Sequence, residues 1–164
     1  MAVYLRVRLK RPVVRRTAVV RLAELILDAA GERQAELSIE LVGDRRMRRL
    51  NRIYRKKDRT TDVLAFPMRE AVAPKAARLA TAMLGDVVIS VPTALRQALD
   101  AGRSPDEEFV SLLVHGVLHL CGYDHERSNR EAARMHRRER ALLRMIGAVP
   151  RVMIHHASKK ERKR

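Results

Sequence analysis

Apolar and polar positions change period several times along this chain, and each change predicts an element. Val3, Leu5, Val7 and Leu9 alternate with Tyr4, Arg6 and Arg8, the pattern of a half-buried strand. Val20, Leu22, Leu25 and Ile26 follow a helical period, with Thr17 as the expected cap and Gly31 as the stop. Alternation returns at Leu37, Ile39 and Leu41. Asp44 reads as the N-cap of a second helix, with Met47, Leu50 and Tyr54 on its apolar face. Thr61 to Pro67 reads as a short strand ended by proline, and the Ala-rich residues 69–82 as a mobile loop. Leu84 to Val91 reads as a buried strand, and Pro92 opens a helix to about Ala101.

Ser104-Pro105-Asp106-Glu107 is a strong helix start, with a capping serine, proline in the first turn and Glu at the third position. The helix it opens, residues 105–121, is apolar nearly all round and must be central. Ser128 and Glu131 open a last helix that runs to Ile146 and stops at Gly147. Strands and helices mix without a strict βαβ repeat. The expected fold is therefore a single α+β domain over residues 1–150, a mixed four-stranded sheet packed against several helices. Residues 151–164 read as a basic, disordered tail.

Composition narrows the class. A chain of 164 residues, 46% hydrophobic, suits one folded domain, and with 3% aromatics and no Trp its core must be aliphatic. The lone Cys121 excludes an internal disulfide and fits a reducing compartment; it reads as a packing residue and not a ligand. No apolar run approaches the ~18 residues of a membrane span, and the first residues alternate unlike a signal peptide. A soluble, cytoplasmic protein with no membrane partner is expected. The formal net charge of +16 implies attraction to a polyanion, with nucleic acid the leading candidate.

Candidate chemistry concentrates in Leu112 to Glu126, LLVHGVLHLCGYDHE. His115 and His119 leave one helix face a turn apart, and Gly122 lets the chain turn so that His125 can return to them. Three neutral imidazoles suit zinc or a similar divalent ion and leave a coordination position open, as catalytic sites do. Metzincin proteases use the same spacing with Glu after the first His as general base. Here that residue is Gly116, which disfavours a peptide hydrolase. His136, on the Arg-rich last helix, and His155 and His156, in the tail, receive no role.

The segment His115 to His125, HGVLHLCGYDH, closely resembles the signature of the YbeY family of zinc-dependent endoribonucleases. Asn51-Arg52-Ile53-Tyr54-Arg55, Thr61 to Pro67 (TDVLAFP) and Leu84 to Ser90 (LGDVVIS) resemble further family stretches in the same order. Ala65 replaces the usual Ser, and Thr60 stands where proline is common. The resemblance implies one zinc ion held by His115, His119 and His125 on the central helix and the turn after it. It makes Arg55 the catalytic or RNA-phosphate residue. It implies a single-strand-specific endoribonuclease that matures the 3′ end of small-subunit (16S) ribosomal RNA and serves ribosome quality control. The rival reading is a non-catalytic zinc-containing assembly factor that binds rRNA.

Asp124 reads as orienting a histidine or capping a turn, and Asp62 and Asp86 as structural residues at strand ends. Residues 45–59 hold nine Lys and Arg, a surface suited to RNA phosphates beside the metal. With few aromatics to stack on bases, RNA shape or a ribosomal or assembly protein is expected to set specificity.

Overall fold

The alternating strands lie side by side. β1 (Ala2–Val7), β3 (Glu36–Val42) and β5 (Met83–Ser90) are parallel, and β4 (Val63–Pro67) runs antiparallel to β5. Together they make a mixed four-stranded sheet in the order β1-β3-β5-β4, in an α+β domain as expected. The structure, a computed structural model, describes residues 1–69 and 82–154. The loop expected at 69–82 falls almost wholly outside them.

One face of the sheet hides Leu37, Ile39, Leu41, Val87 and Ile89 beneath α1 (Arg16–Ala29), α4 (Pro105–Leu120) and α5 (Asn129–Ile146). The opposite face carries Ser38, Glu40, Asp86 and Val88 and is covered only in part, by α2 (Asp44–Arg55). There Val42, Met47, Leu64 and Val88 form a second, smaller apolar cluster. α3 (Val91–Asp100) packs against α4 and α2.

α4 begins as its sequence predicts. The Ser104 hydroxyl accepts from the Glu107 N–H and the Glu107 carboxylate from the Ser104 N–H, so two otherwise orphaned donors are satisfied. Phe109, Leu113, Val114 and Val117 are fully buried, which makes this helix the centre of the core. Gly116 sets its distance from the sheet: a Cβ there would stand 2.8 Å from Val87 Cγ1 and 3.3 Å from Val63 Cγ2.

Several expectations need correction. Thr17 does not cap α1, which starts at Arg16 with Arg15 in the cap position. Asp44 is inside α2, with Gly43 at the N-cap, because its carboxylate is taken by other groups. It accepts from Ser90 Oγ at 2.8 Å, Thr93 Oγ1 at 2.7 Å and Thr60 Oγ1 at 3.3 Å, and pairs with Arg96 at 2.8 Å. Burial opposes ionisation of Asp44, but the bonds from Arg96, Thr93 and Ser90 outweigh it and lower its pKa to about 2.

The tail boundary at residue 150 is also too early. Val152 and Met153 are buried, and β6 (Met153–Ile154) pairs antiparallel with β2 (Val13–Val14). The Asp106 carboxylate accepts from the N–H groups of Val152 and Met153 at 2.9 and 3.0 Å. Residues 155–164, with His155 and His156, lie outside the described residues.

Candidate metal centre

α4 presents His115 and His119 one turn apart at its C-terminal end. Gly122, at φ +98°, reverses the chain, with Gly122 N–H on the His119 carbonyl at 3.0 Å and Tyr123 N–H on that of Leu118 at 3.1 Å. Asp124 then tightens the next turn by accepting from the Glu126 N–H at 2.9 Å, which chiefly holds its carboxyl below the usual range. This is the capping role, and it returns His125 to the helix. His119 Nε2 ends 3.1 Å from His115 Nε2 and 3.1 Å from His125 Nδ1.

The arrangement fits a cation. Glu139, on α5, places Oε1 2.5 Å from His115 Nδ1. Burial pushes the Glu139 pKa up, but the His115 hydrogen bond and charge reverse this and lower it. An ionised carboxylate can only accept, so His115 donates through Nδ1 and turns the Nε2 lone pair towards its neighbours. Burial, and then the charges of His115 and His125, lower the pKa of His119 and favour its neutral form. A 3.1 Å contact between ring nitrogens is met either by a proton on one of them or by a cation between their lone pairs, and three nitrogens gathered this closely suit the cation. The ligand atoms of the three rings all lie within 4.8 Å of one another, and these residues would hold the ion. Among the described residues these are the ligand atoms that converge for a metal.

The cluster opens on one side into a groove of about 1270 Å³. Arg55, at the end of α2, lines the same groove and lies 3.5 Å from Glu126, whose other oxygen is 4.0 Å from His125. Buried Asn51 fixes the loop after Arg55 through a 2.9 Å bond to the Arg59 carbonyl. Lys57, Arg59 and Arg127 add positive charge along the groove. Cys121 is not among the converging atoms; burial pushes its thiol up to about 12. Gly116 packs against the sheet, where a Cβ would crowd Val87 and Val63, and it brings no general base to the groove it lines with the histidines.

Asp62 and Asp86 do not join the cluster, although Asp62 lines the same groove. Asp62 accepts from its neighbour Val63 N–H at 2.7 Å, just before β4. Asp86 is not at a strand end; it sits within β5 and faces away from α4. His136 is exposed, 3.7 Å from Glu139 Oε2. Glu139 was not anticipated from sequence, although a signal exists. It lies four residues after buried Met135 and three before buried Leu142, an acid on the core-facing stripe of an Arg-rich helix.

A family model described as endoribonuclease YbeY matches residues 8–147. An endoribonuclease YbeY from Aquifex aeolicus is 44% identical over 137 residues, covering 84% of this chain and 87% of that protein. One from Anaeromyxobacter dehalogenans is 50% identical over 127 residues, 77% of this chain and 62% of the longer relative. The solution structure of TM1509 from Thermotoga maritima superposes with a TM-score of 0.60 at 20% identity, over 88% of each chain, a likeness of fold.

Proposed function

The chain belongs to the endoribonuclease YbeY family, and on that premise we propose that it is a metal-dependent endoribonuclease. The observation that carries this reading is the open side of the imidazole cluster, which faces a basic groove shared with Arg55. A structural metal site closes its fourth position with protein; a hydrolytic one leaves it to substrate. The assembly-factor reading accounts for the positive charge but not for that opening.

We assign zinc as the ion, with His115, His119 and His125 as its ligands. When bound, it supplies Lewis acidity at a phosphoryl oxygen and makes water more acidic. The chain does the rest. Glu139 fixes the ring of His115, and Asp124 fixes the turn that carries His125. Arg55 stabilises the charge that gathers on the equatorial oxygens as phosphorus becomes five-coordinate. Lys57, Arg59 and Arg127 hold the flanking phosphates, so binding weakens steeply as salt rises. The substrate we assign is single-stranded RNA at the 3′ end of the small-subunit ribosomal RNA precursor, with ribosome quality control as the wider role.

Cleavage of a 3′-extended small-subunit rRNA fragment tests the reading. Zinc-loaded protein is expected to cut it; metal-stripped protein and His119→Ala are not. Arg55→Ala is expected to lose roughly 10²–10³ in rate. Cutting that persists in His119→Ala, or tight RNA binding by zinc-loaded protein without any cutting, refutes the nuclease assignment.

A further inference from the structure

This chain has five Tyr and Phe residues, and their placement is uneven. Phe109 is in the core, and Tyr123 lies under the Arg134 guanidinium at 4.8 Å. The other three, Tyr4, Tyr54 and Phe66, line one groove of about 540 Å³ on the half-covered sheet face. Strand register explains part of this. Tyr4 pairs with Ser38, Ser38 with Asp86 and Asp86 with Phe66, so one row across all four strands reads aromatic, hydroxyl, carboxylate, aromatic. All four side chains leave the same face. Tyr54 reaches over the row from α2 and meets Phe66 edge-on, with centroids 5.1 Å apart.

The polar groups of this groove divide into satisfied and unsatisfied. Glu40, one row on, is held by Arg8 and Arg46, each at 2.6 Å. Asp86 is half-buried and makes no side-chain hydrogen bond or ion pair among the described residues, and exposed Arg6 makes no ion pair there. The groove therefore offers aromatic faces, a carboxylate acceptor without a donor and a guanidinium without an anion. A nucleotide supplies the complement of each: a base to stack, donors on the base edge and a phosphate. A carboxylate accepts parallel donors with its two oxygens. Guanine offers such a pair, its N1–H and exocyclic amine, where uracil offers the single donor N3–H between two carbonyl oxygens. Tyr54 and Phe66 also line the histidine groove, so one strand can pass from one groove to the other.

We propose that this sheet-face groove binds an unpaired guanine nucleotide of the RNA strand whose backbone crosses the histidine groove. The inference rests on the RNA reading above. Asp86 takes the Watson–Crick edge, Tyr4 and Tyr54 supply stacking surface and Arg6 takes a phosphate.

Fluorescence anisotropy of the full-length zinc-loaded protein tests it with hydrolysis-resistant phosphorothioate hexamers, one all-uridine and six others each with a single guanosine. Guanosine at one register is expected to tighten binding about 10-fold, as a good bidentate base contact does. Asp86→Asn is expected to erase that preference, and Tyr4→Leu to weaken every hexamer about fivefold or more. Both variants should melt within a few degrees of the wild type, since Tyr4 is exposed on an edge strand and Asp86 is half-buried without a partner among the described residues. Salt-sensitive binding of all hexamers with no guanosine preference overturns the groove assignment and leaves the RNA reading standing. Preference that survives Asp86→Asn also overturns it. Undiminished RNA affinity in both variants would give the groove to a protein partner instead, and failure to bind any hexamer removes the RNA reading itself.

Discussion

Glu139→Ala removes the carboxylate that fixes the His115 ring. The Glu139 and His115 side chains retain 22% and 28% exposure, and their bond is 2.5 Å long. Without it, the imidazole of His115 can swap tautomers and rotate, and its Nε2 lone pair meets the other two nitrogens only part of the time. Carboxylates that orient metal-binding histidines are commonly worth about 10–100-fold in metal affinity. Partial burial shields this pair from water, which favours the upper half of that range. The whole range corresponds to about 1.4–2.8 kcal/mol. Ligand stabilisation follows the logarithm of free concentration over Kd. For a chain of this size, about 2–4 °C of Tm per kcal/mol then shrinks the zinc-induced rise in Tm by roughly 3–11 °C. Glu139→Gln keeps an acceptor for Nδ1–H and should lose less than about tenfold in affinity. Calorimetric unfolding at fixed free zinc, paired with chelator competition, reads both quantities. Wild-type zinc affinity in Glu139→Ala would refute the orienting role, as would an equal loss in the glutamine variant.

The remaining predictions concern the frame. Asp44 is depressed to about 2 in the folded chain from an ordinary 3.8, so its contribution is complete above about pH 4 and lost as pH falls through 2. With 35% of the side chain exposed, solvent screening reduces this contribution to about 1–2 kcal/mol. Stability curves of wild type and Asp44→Asn should differ by that amount at pH 6 and converge near pH 2; a constant gap would contradict it. Gly116→Ala forces a Cβ to within 2.8 Å of Val87 and should lower stability by about 1–3 kcal/mol despite the better helix former, whereas an unchanged or raised Tm would show that α4 can shift. Asp106→Ala leaves two backbone donors without an acceptor and should cost about 1–3 kcal/mol. Amide exchange at Val152 and Met153 should then accelerate well beyond that at Leu113; equal protection in both proteins would refute the tether.

The histidine cluster was legible because its parts are local. His115 and His119 share a helix face, one glycine reverses the chain, and His125 follows within the next few residues, so helical period and turn chemistry suffice to bring the three together. The expected strands and helices were legible for the same reason and differ from the structure mainly at their ends. Local reasoning fails where a group is claimed from afar. Asp44 looks like a cap to its own helix, but Ser90 and Thr93, more than forty residues on, hold its carboxylate. The basic end of the chain reads as a tail, yet Asp106 and β2 draw residues 152–154 into the fold. Both groups satisfy backbone or side-chain donors in the folded domain that no short window of sequence reveals.

Asp86 carries this reasoning a step further. In the run LGDVVIS it reads as a polar interruption at a strand end, yet its place is inside β5, and Val87 and Ile89 alternate with it towards α4. In a strand covered on both faces an unpaired carboxylate would carry a large desolvation cost. Its presence there therefore implies that one face of the sheet remains open beside α2. Ser38 and Glu40, the polar positions of β3, fall on that same face. Period-two patterning thus contains the second groove as well as the core, once the polar positions are read as a face of their own and not as gaps in the apolar one. The aliphatic face packs α4 and so sets the imidazoles in place. The polar face gathers Tyr4, Tyr54 and Phe66 over it and, among the described residues, is covered only in part by α2.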